Sequence, residues 1–241
     1  MKKRLLIGLL STMFVFCLGL QAQELTMAEI LAKSIEAQGG RATMANIKDT
    51  TTSGTMEIIQ MGMSAALTIY QKEPNKMRMD IDVMGMLITT AFDGEKGWAV
   101  NPQTGSAEEM TEKQSQAQRL QAMGYDAALN PEKYGITFAL KGKEKIGDKE
   151  YFVVEQTFKD GFQATVYIST ATYLTDRVRS KSDQMGTEIE TETLMEDYKN
   201  VEGLMIPHAL TIFQAGAEFG RITVGKVVFN SGLEDSFFKM Q

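Results

Sequence analysis

Lys72-Glu73-Pro74-Asn75-Lys76-Met77-Arg78-Met79-Asp80-Ile81-Asp82-Val83 (residues 72–83) decides the fold class. Glu73-Pro74-Asn75 is turn chemistry, because proline fixes φ and asparagine bonds back onto its own backbone. After the turn the period becomes two. Met77, Met79, Ile81 and Val83 alternate with Arg78, Asp80 and Asp82, which predicts a strand with one dry and one wet face. Phe162, Ala164, Val166 and Ile168 alternate in the same way with Gln163, Thr165, Tyr167 and Ser169. Further strands are expected near 52–60, 63–72, 86–92, 97–100, 136–141, 151–158, 174–182, 187–196, 206–214 and 218–230. Asp93-Gly94, Gly147-Asp148, Lys159-Asp160-Gly161 and Glu202-Gly203 punctuate them. So many short strands imply a mainly β protein with few helices, built on one curled antiparallel sheet. No internal repeat or linker divides it, so residues 23–241 read as a single domain.

Two helical segments break the pattern. Thr26 and Glu29 form a capping box, Leu25 staples onto Ile30, and Met27, Ile30, Leu31, Ser34 and Ile35 share a face before Gly39-Gly40 stops the helix. Between Glu108 and Asn130 a second helical pattern begins at Thr111 and Gln114. Its apolar stripe is thin: Ala117, Leu120 and Met123 stand among glutamines and Arg119. Such a helix is not deeply buried, and it suits a lid over the open end of the sheet.

The chain has 241 residues, with 43% hydrophobic and 23% charged side chains, enough for one real core. A net charge of −6 is the wrong sign for neutralising phosphates, so nucleic acid is excluded as a partner. The start reads as an export signal over residues 1–22: Lys2, Lys3 and Arg4, then an apolar run from Leu5 to Leu20, with cleavage near Ala22. That run is short for a membrane span, and Phe14 and Phe16 stand where a lipid-attachment motif around Cys17 needs small residues. Cleavage removes the only Cys and leaves an acidic chain suited to the periplasm.

Chemistry is sparse. The single His, His208, shares a strand face with Ile206, Leu210 and Ile212 and reads as a hydrogen-bonded structural group. Asp80 and Asp82, and likewise Glu188, Glu190 and Glu192, read as solvated faces rather than a catalytic pair. No nucleophile elbow, phosphate loop or zinc-protease motif is present. The chain is therefore read as non-catalytic, without a cofactor or metal. The methionines are the compositional oddity: among 17, Met56, Met61, Met63, Met77, Met79, Met84 and Met86 cluster in neighbouring strands. They read as core filling, as a pliable apolar cavity, or, through three Met-x-Met pairs each set on one side of a strand, as Cu(I) ligands.

Two motifs then carry a resemblance. Lys72-Glu73-Pro74-Asn75-Lys76-Met77, and Asp93-Gly94-Glu95-Lys96-Gly97-Trp98-Ala99-Val100-Asn101-Pro102 with its D-G-x-x-x-W-x-x-N-P pattern, resemble the periplasmic outer-membrane lipoprotein carrier family (LolA-like). The resemblance implies an incomplete, half-open barrel whose concave face is covered by the N-terminal helix and the helical insertion. It also implies that acyl chains are sheltered there. In that family an early Arg holds the lid shut. Arg41 is the nearest counterpart, in surroundings that depart from the family pattern.

The expected concave face is Met61, Met63, Leu67, Ile69, Met77, Met79, Ile81, Phe162, Val166 and Ile168, with Ala117, Leu120 and Met123 on the lid. The expected partners are a lipid or acylated lipoprotein cargo and membrane-bound proteins that load and receive it. An envelope sensor or protein-interaction module on the same fold is the alternative.

Overall fold

The computed structural model describes residues 25–184 and 187–240, so the expected export signal lies outside the described residues. The chain opens with α1 (Met27–Ala37), whose N-terminus carries the expected capping box. A short α2 (Arg41–Ala45) follows, unforeseen because five residues leave no periodicity to read. Six strands come next: β1 (Asp49–Ile58), β2 (Met63–Lys72), β3 (Lys76–Val83), β4 (Met86–Phe92), β5 (Gly97–Val100) and β6 (Ala107–Glu109). The insertion is two helices, α3 (Glu112–Gln121) and α4 (Tyr125–Leu129), and not the single segment expected over 108–130. Its first expected residues belong to β6, and Gly124 separates the helices.

Seven strands complete the chain: β7 (Thr137–Ile146), β8 (Lys149–Thr157), β9 (Gln163–Ser169), β10 (Thr175–Gln184), β11 (Thr187–Val201), β12 (Leu204–Gln214) and β13 (Ala217–Phe229). All thirteen form one antiparallel sheet in the order β6-β5-β4-β3-β2-β1-β13-β12-β11-β10-β9-β8-β7. Two meanders are thus joined at β1 and β13, the first and last strands. The free edges are β6 and β7, neighbours in sequence across the insertion. The sheet curls without closing, and α3 and α4 bridge its mouth.

The seam is tightly made. Thr50 to Ile58 pair with Phe229 to Gly220, with a bulge at Ser53/Gly54. A Cβ on Gly54 would lie 2.1 Å from the Thr223 carbonyl oxygen, so only glycine permits this approach. Asp49, 3% exposed, then turns the tail. Its carboxylate accepts from Ser231 N at 2.7 Å, Ser231 Oγ at 2.8 Å, Gly232 N at 3.0 Å and Leu233 N at 3.3 Å. Burial alone pushes this carboxyl up, but the bonds from Ser231, Gly232 and Leu233 outweigh it and hold the group below its ordinary value.

The redirected tail covers the outer face of the first meander. Phe238 is fully buried and its carbonyl accepts from Trp98 Nε1 at 2.7 Å. Lys72 and Lys76 meet Asp235 at 2.6 and 2.8 Å, and the Arg78 guanidinium sits 4.6 Å from the Phe237 ring. Beneath it Asp80 is not solvated as expected: its side chain is 14% exposed and accepts from Arg78 Nε at 3.0 Å and Thr89 Oγ1 at 2.8 Å. The tail converts what reads as a wet face into a half-buried one. His208 is buried, with Nδ1 2.9 Å from the Ile206 carbonyl, the structural role expected of it.

Methionine placement also departs from expectation. Met77 and Met79 lie along β3, but Met61 closes a 3-10 turn and Met84 sits in a hairpin turn with φ 55°. The pairs at 61/63 and 84/86 therefore do not line one side of a strand, because a turn intervenes in each.

Replacing Asp49 by alanine leaves buried backbone N–H groups of the tail turn unpaired, a loss of roughly 2–4 kcal/mol. Urea unfolding of Asp49→Ala is expected to show this drop, with protease nicking appearing first after Phe229.

Candidate functional site

The inner face of the second meander is apolar by alternation. Val154 faces Val166 across β8 and β9, Phe152 faces Ile168, and Gln156 is flanked by Phe138 and Ala164. Helix α1 lies over this wall. Ile30, fully buried, packs on Phe152, Val154 and Ile168. Burial of that one side chain contributes about 1.5–3 kcal/mol. Leu31, Ser34, Ile35 and Gln38, at helical spacing, leave a gap beside it. The gap is a cavity of about 320 Å³, lined by those four residues, by Leu120, Met123, Gly124, Ala127 and Ala128 of the insertion, and by Ile136, Phe138, Val154, Gln156, Phe158, Val166, Ile168 and Thr175. None of these side chains is charged.

The insertion is held at its ends by directed bonds and by apolar burial, with Leu129 of α4 in the core cluster of Met44, Ile47 and Leu204. On one side Ala122 is buried with Met77 and Phe92, against which Ile69 packs. Ser115 Oγ accepts from Gly97 N at 3.1 Å, and the Arg119 guanidinium lies 5.7 Å from the Phe92 ring. On the other side α4 is clamped. The Glu73 carboxylate accepts from Tyr125 N at 2.7 Å and Asp126 N at 3.1 Å, satisfying the free amides of the helix start. At the far end Arg41 Nη1 donates to the Leu129 carbonyl at 3.0 Å. A Cβ on Gly124 would sit 2.0 Å from Glu73 Oε1 and would push that carboxylate off the amides of α4, so glycine here leaves room for the clamp. Asp126 accepts from Lys133 Nζ at 2.5 Å, from Asn130 Nδ2 at 2.7 Å and from the Tyr134 hydroxyl, locking α4 onto the 3-10 turn behind it.

These contacts set the electrostatics. Burial pushes the Glu73 carboxyl up in spite of its two N–H donors. Burial raises the Tyr125 hydroxyl to about 12. Hydrogen bonds from Lys133 and Tyr134 hold Asp126 at about 2.

Of the residues expected at the site, Val166, Ile168, Leu120 and Met123 line the cavity together. Met77 and Ile69 sit instead under Ala122 of the insertion. Leu67 is buried on the β2 face opposite Ile81, and Ile69 faces Met79. Met79, Ile81 and Met63 are half-buried, Met61 is 69% exposed, and Phe162 packs on Phe158 at 5.7 Å. The Ala117 side chain lies outside the described residues. The N-terminal helix is expected over the concave face, and Arg41 is named as the nearest counterpart of the family's lid-holding Arg, although that role is not carried over to it; sequence reasoning missed the β8 wall and the Glu73 clamp. The wall carried a signal in the alternation of Phe152, Val154, Gln156 and Phe158. The Glu73 clamp carried none, since it joins residues distant in sequence.

An unclosed antiparallel sheet with helices over a cavity is an incomplete barrel. It is, more particularly, the LolA-like fold. No family model matches the chain, and no curated protein matches it. Solved structures do. A LolA superfamily protein from Nitrosomonas europaea is 14% identical with TM-score 0.62, covering 90% of this chain and 98% of its own. A domain from Vibrio parahaemolyticus, described as an outer membrane lipoprotein-sorting protein domain, is 15% identical with TM-score 0.61, covering 86% and 95%. A DUF1329 family protein from Desulfovibrio piger is 12% identical with TM-score 0.63, covering 88% and 98%.

The clamp gives a pH signature. Asp126 is lower in the fold than the ordinary 3.8, so its contribution is complete above that value and lost as pH falls toward about 2. Glu73 has the opposite sign, because the fold holds its proton more tightly than the unfolded chain does. Hydrogen exchange over residues 125–134 is expected to quicken below pH 3.8 in the native chain, and Asp126→Asn should exchange at the fast rate already at neutral pH. Arg41→Leu is expected to raise exchange in α4 at neutral pH, by the loss of about 1–2 kcal/mol of local stability, with the β1–β13 seam unchanged.

Proposed function

We propose that the chain is a non-catalytic periplasmic carrier that shelters an acyl chain of a lipid or lipoprotein in the covered cavity for transfer towards the outer membrane. The observation that supports this most directly is the cavity itself: uncharged, walled by α1 and the β7–β10 face, and roofed by an insertion fastened by polar bonds to Arg41 and Glu73 and by burial of Ala122 and Leu129. In this reading residues 1–22 are a cleaved export signal and residues 23–241 one binding domain. Val166, Ile168, Leu120 and Met123 touch the cargo.

The energetics fit a carrier. Each methylene withdrawn from water contributes about 0.8 kcal/mol, so a chain of about sixteen carbons offers on the order of 12 kcal/mol when fully covered. A cavity near the lower end of the usual range for ligand sites covers one chain and not several. Partial cover supplies binding without irreversible capture, and release then needs only that the roof lift. The fold neighbours, one described as lipoprotein-sorting, support the same class of cargo.

Purified protein is expected to carry lipid detectable by mass spectrometry and to take up a fluorescent acyl probe at one site. Met123→Asp places a charge in the wall and should weaken probe binding roughly tenfold or more, whereas Met61→Glu, at a 69% exposed position outside the wall, should not. Absence of both co-purified lipid and probe uptake would falsify the carrier reading.

A further inference from the structure

Seven large apolar side chains are exposed among the described residues, and five of them crowd onto two neighbouring hairpin tips: Ile59 and Met61 between β1 and β2, and Met84, Met86 and Leu87 at the turn from β3 into β4. Ile58 pairs with Met63, Ala66 with Asp82 and Val83 with Met86, so the tips stand side by side at one end of the sheet. Both tips spell Met-Gly-Met, at 61–63 and 84–86, and no charged residue falls within 58–63 or 83–88. The turns at the other end of these strands, Glu73-Pro74-Asn75 and Asp93-Gly94-Glu95, are polar. Met84 is the most informative residue. It is 93% exposed, and with Gly85 it makes a two-residue turn at φ 55° and 89°, where Asp82 Oδ1 accepts from Gly85 N at 2.7 Å. Such a turn prefers Asn-Gly or Asp-Gly, because a left-handed backbone disfavours a long side chain. The fold thus carries a strained methionine that almost nothing in the chain touches.

We propose that the two tips form a docking surface for a zwitterionic lipid bilayer, into whose interface they dip. Water is a poor solvent for these side chains, and a bilayer offers hydrocarbon to a convex pair of loops without needing a matching surface. Methionine suits this contact, since its unbranched, polarizable side chain adapts to mobile acyl tails. The exposed area of the five side chains is on the order of 600 Å², below the ~800 Å² per partner of a stable protein interface, so a second copy of the chain has too little to hold. Glu57, Asp82 and the Glu218–Arg221 pair beside the tips leave no excess of positive charge, so anionic headgroups exert no pull. The proposal stands apart from the carrier reading, because the tips lie on β1–β4 and the cavity is walled by α1 and the β7–β10 face.

Cosedimentation of protein purified after export with phosphatidylcholine–phosphatidylethanolamine vesicles tests this. The native chain is expected to partition onto the vesicles equally at low and high salt, as an uncharged contact does. Met84→Asn gives the turn its preferred residue, so it should melt no lower than the native chain and yet bind vesicles several-fold more weakly. Combining it with Met61→Glu should lower the partition roughly tenfold or more. Neither change is expected to alter uptake of the fluorescent acyl probe, which separates this surface from the cavity. A native chain that stays in the supernatant, or variants that sediment as the native chain does, overturns the proposal and leaves the carrier reading standing. A concentration-dependent dimer that forms without lipid and is abolished by the double variant overturns it in favour of self-association.

Discussion

A sheet that pairs its first strand with its last and leaves two free edges at mid-sequence must hide a curved apolar face without filling it. Everything else in the structure answers that constraint. The β1–β13 seam fixes the curl, with Gly54 giving the bulge its room and Asp49 directing the tail. The mouth then lies between β6 and β7, and the chain has only residues 110–136 with which to bridge it. Two short helices and a 3-10 turn suffice, because β3–β5 hold one end of the bridge and α2 with the β2–β3 turn the other. What remains between bridge, α1 and the β7–β10 wall is the cavity.

Both meanders carry paired, half-buried charge on their outer faces. The first hides Arg78 and Asp80 under the aromatic tail. In the second, without a covering tail segment, Glu192 bonds Arg177 and sits 3.3 Å from Arg179 Nε, while Arg179 donates to the Tyr167 hydroxyl at 3.0 Å. Both devices stiffen the sheet from outside. Rigidity of the wall is what allows a hollow to persist on the inside, since a soft sheet would collapse onto it.

Period-two alternation made the strands legible, and Met77 to Val83 or Phe162 to Ile168 needed no further context. The capping boxes at Thr26 and Thr111 made both helix starts legible for the same reason: the chemistry is local. The site was legible only by half. Val166, Ile168, Leu120 and Met123 declare themselves by their face, but which inner-face residues border empty space and which border Ala122 depends on how the sheet curls. That geometry comes from the seam, a pairing between residues near 50 and near 229. Asp80 misled for a related reason. Its wetness was a property of the strand taken alone, and the tail that covers it arrives from the far end of the chain.

The helix of the roof nearest α2 is fastened by two kinds of force. Hydrogen bonds to Glu73 and Arg41 are each worth on the order of 1–2 kcal/mol net, because water replaces them when they break. Leu129 adds apolar burial: it lies in the core cluster with Met44, Ile47 and Leu204, and Tyr125 packs against the same cluster. Burial of one such side chain contributes about 1.5–3 kcal/mol. The polar bonds are directional and the burial is not, so the first fix where α4 sits and the second fixes how firmly. Lifting α4 therefore costs more than its polar bonds alone, while the thirteen-stranded sheet beside it is held by a continuous ladder.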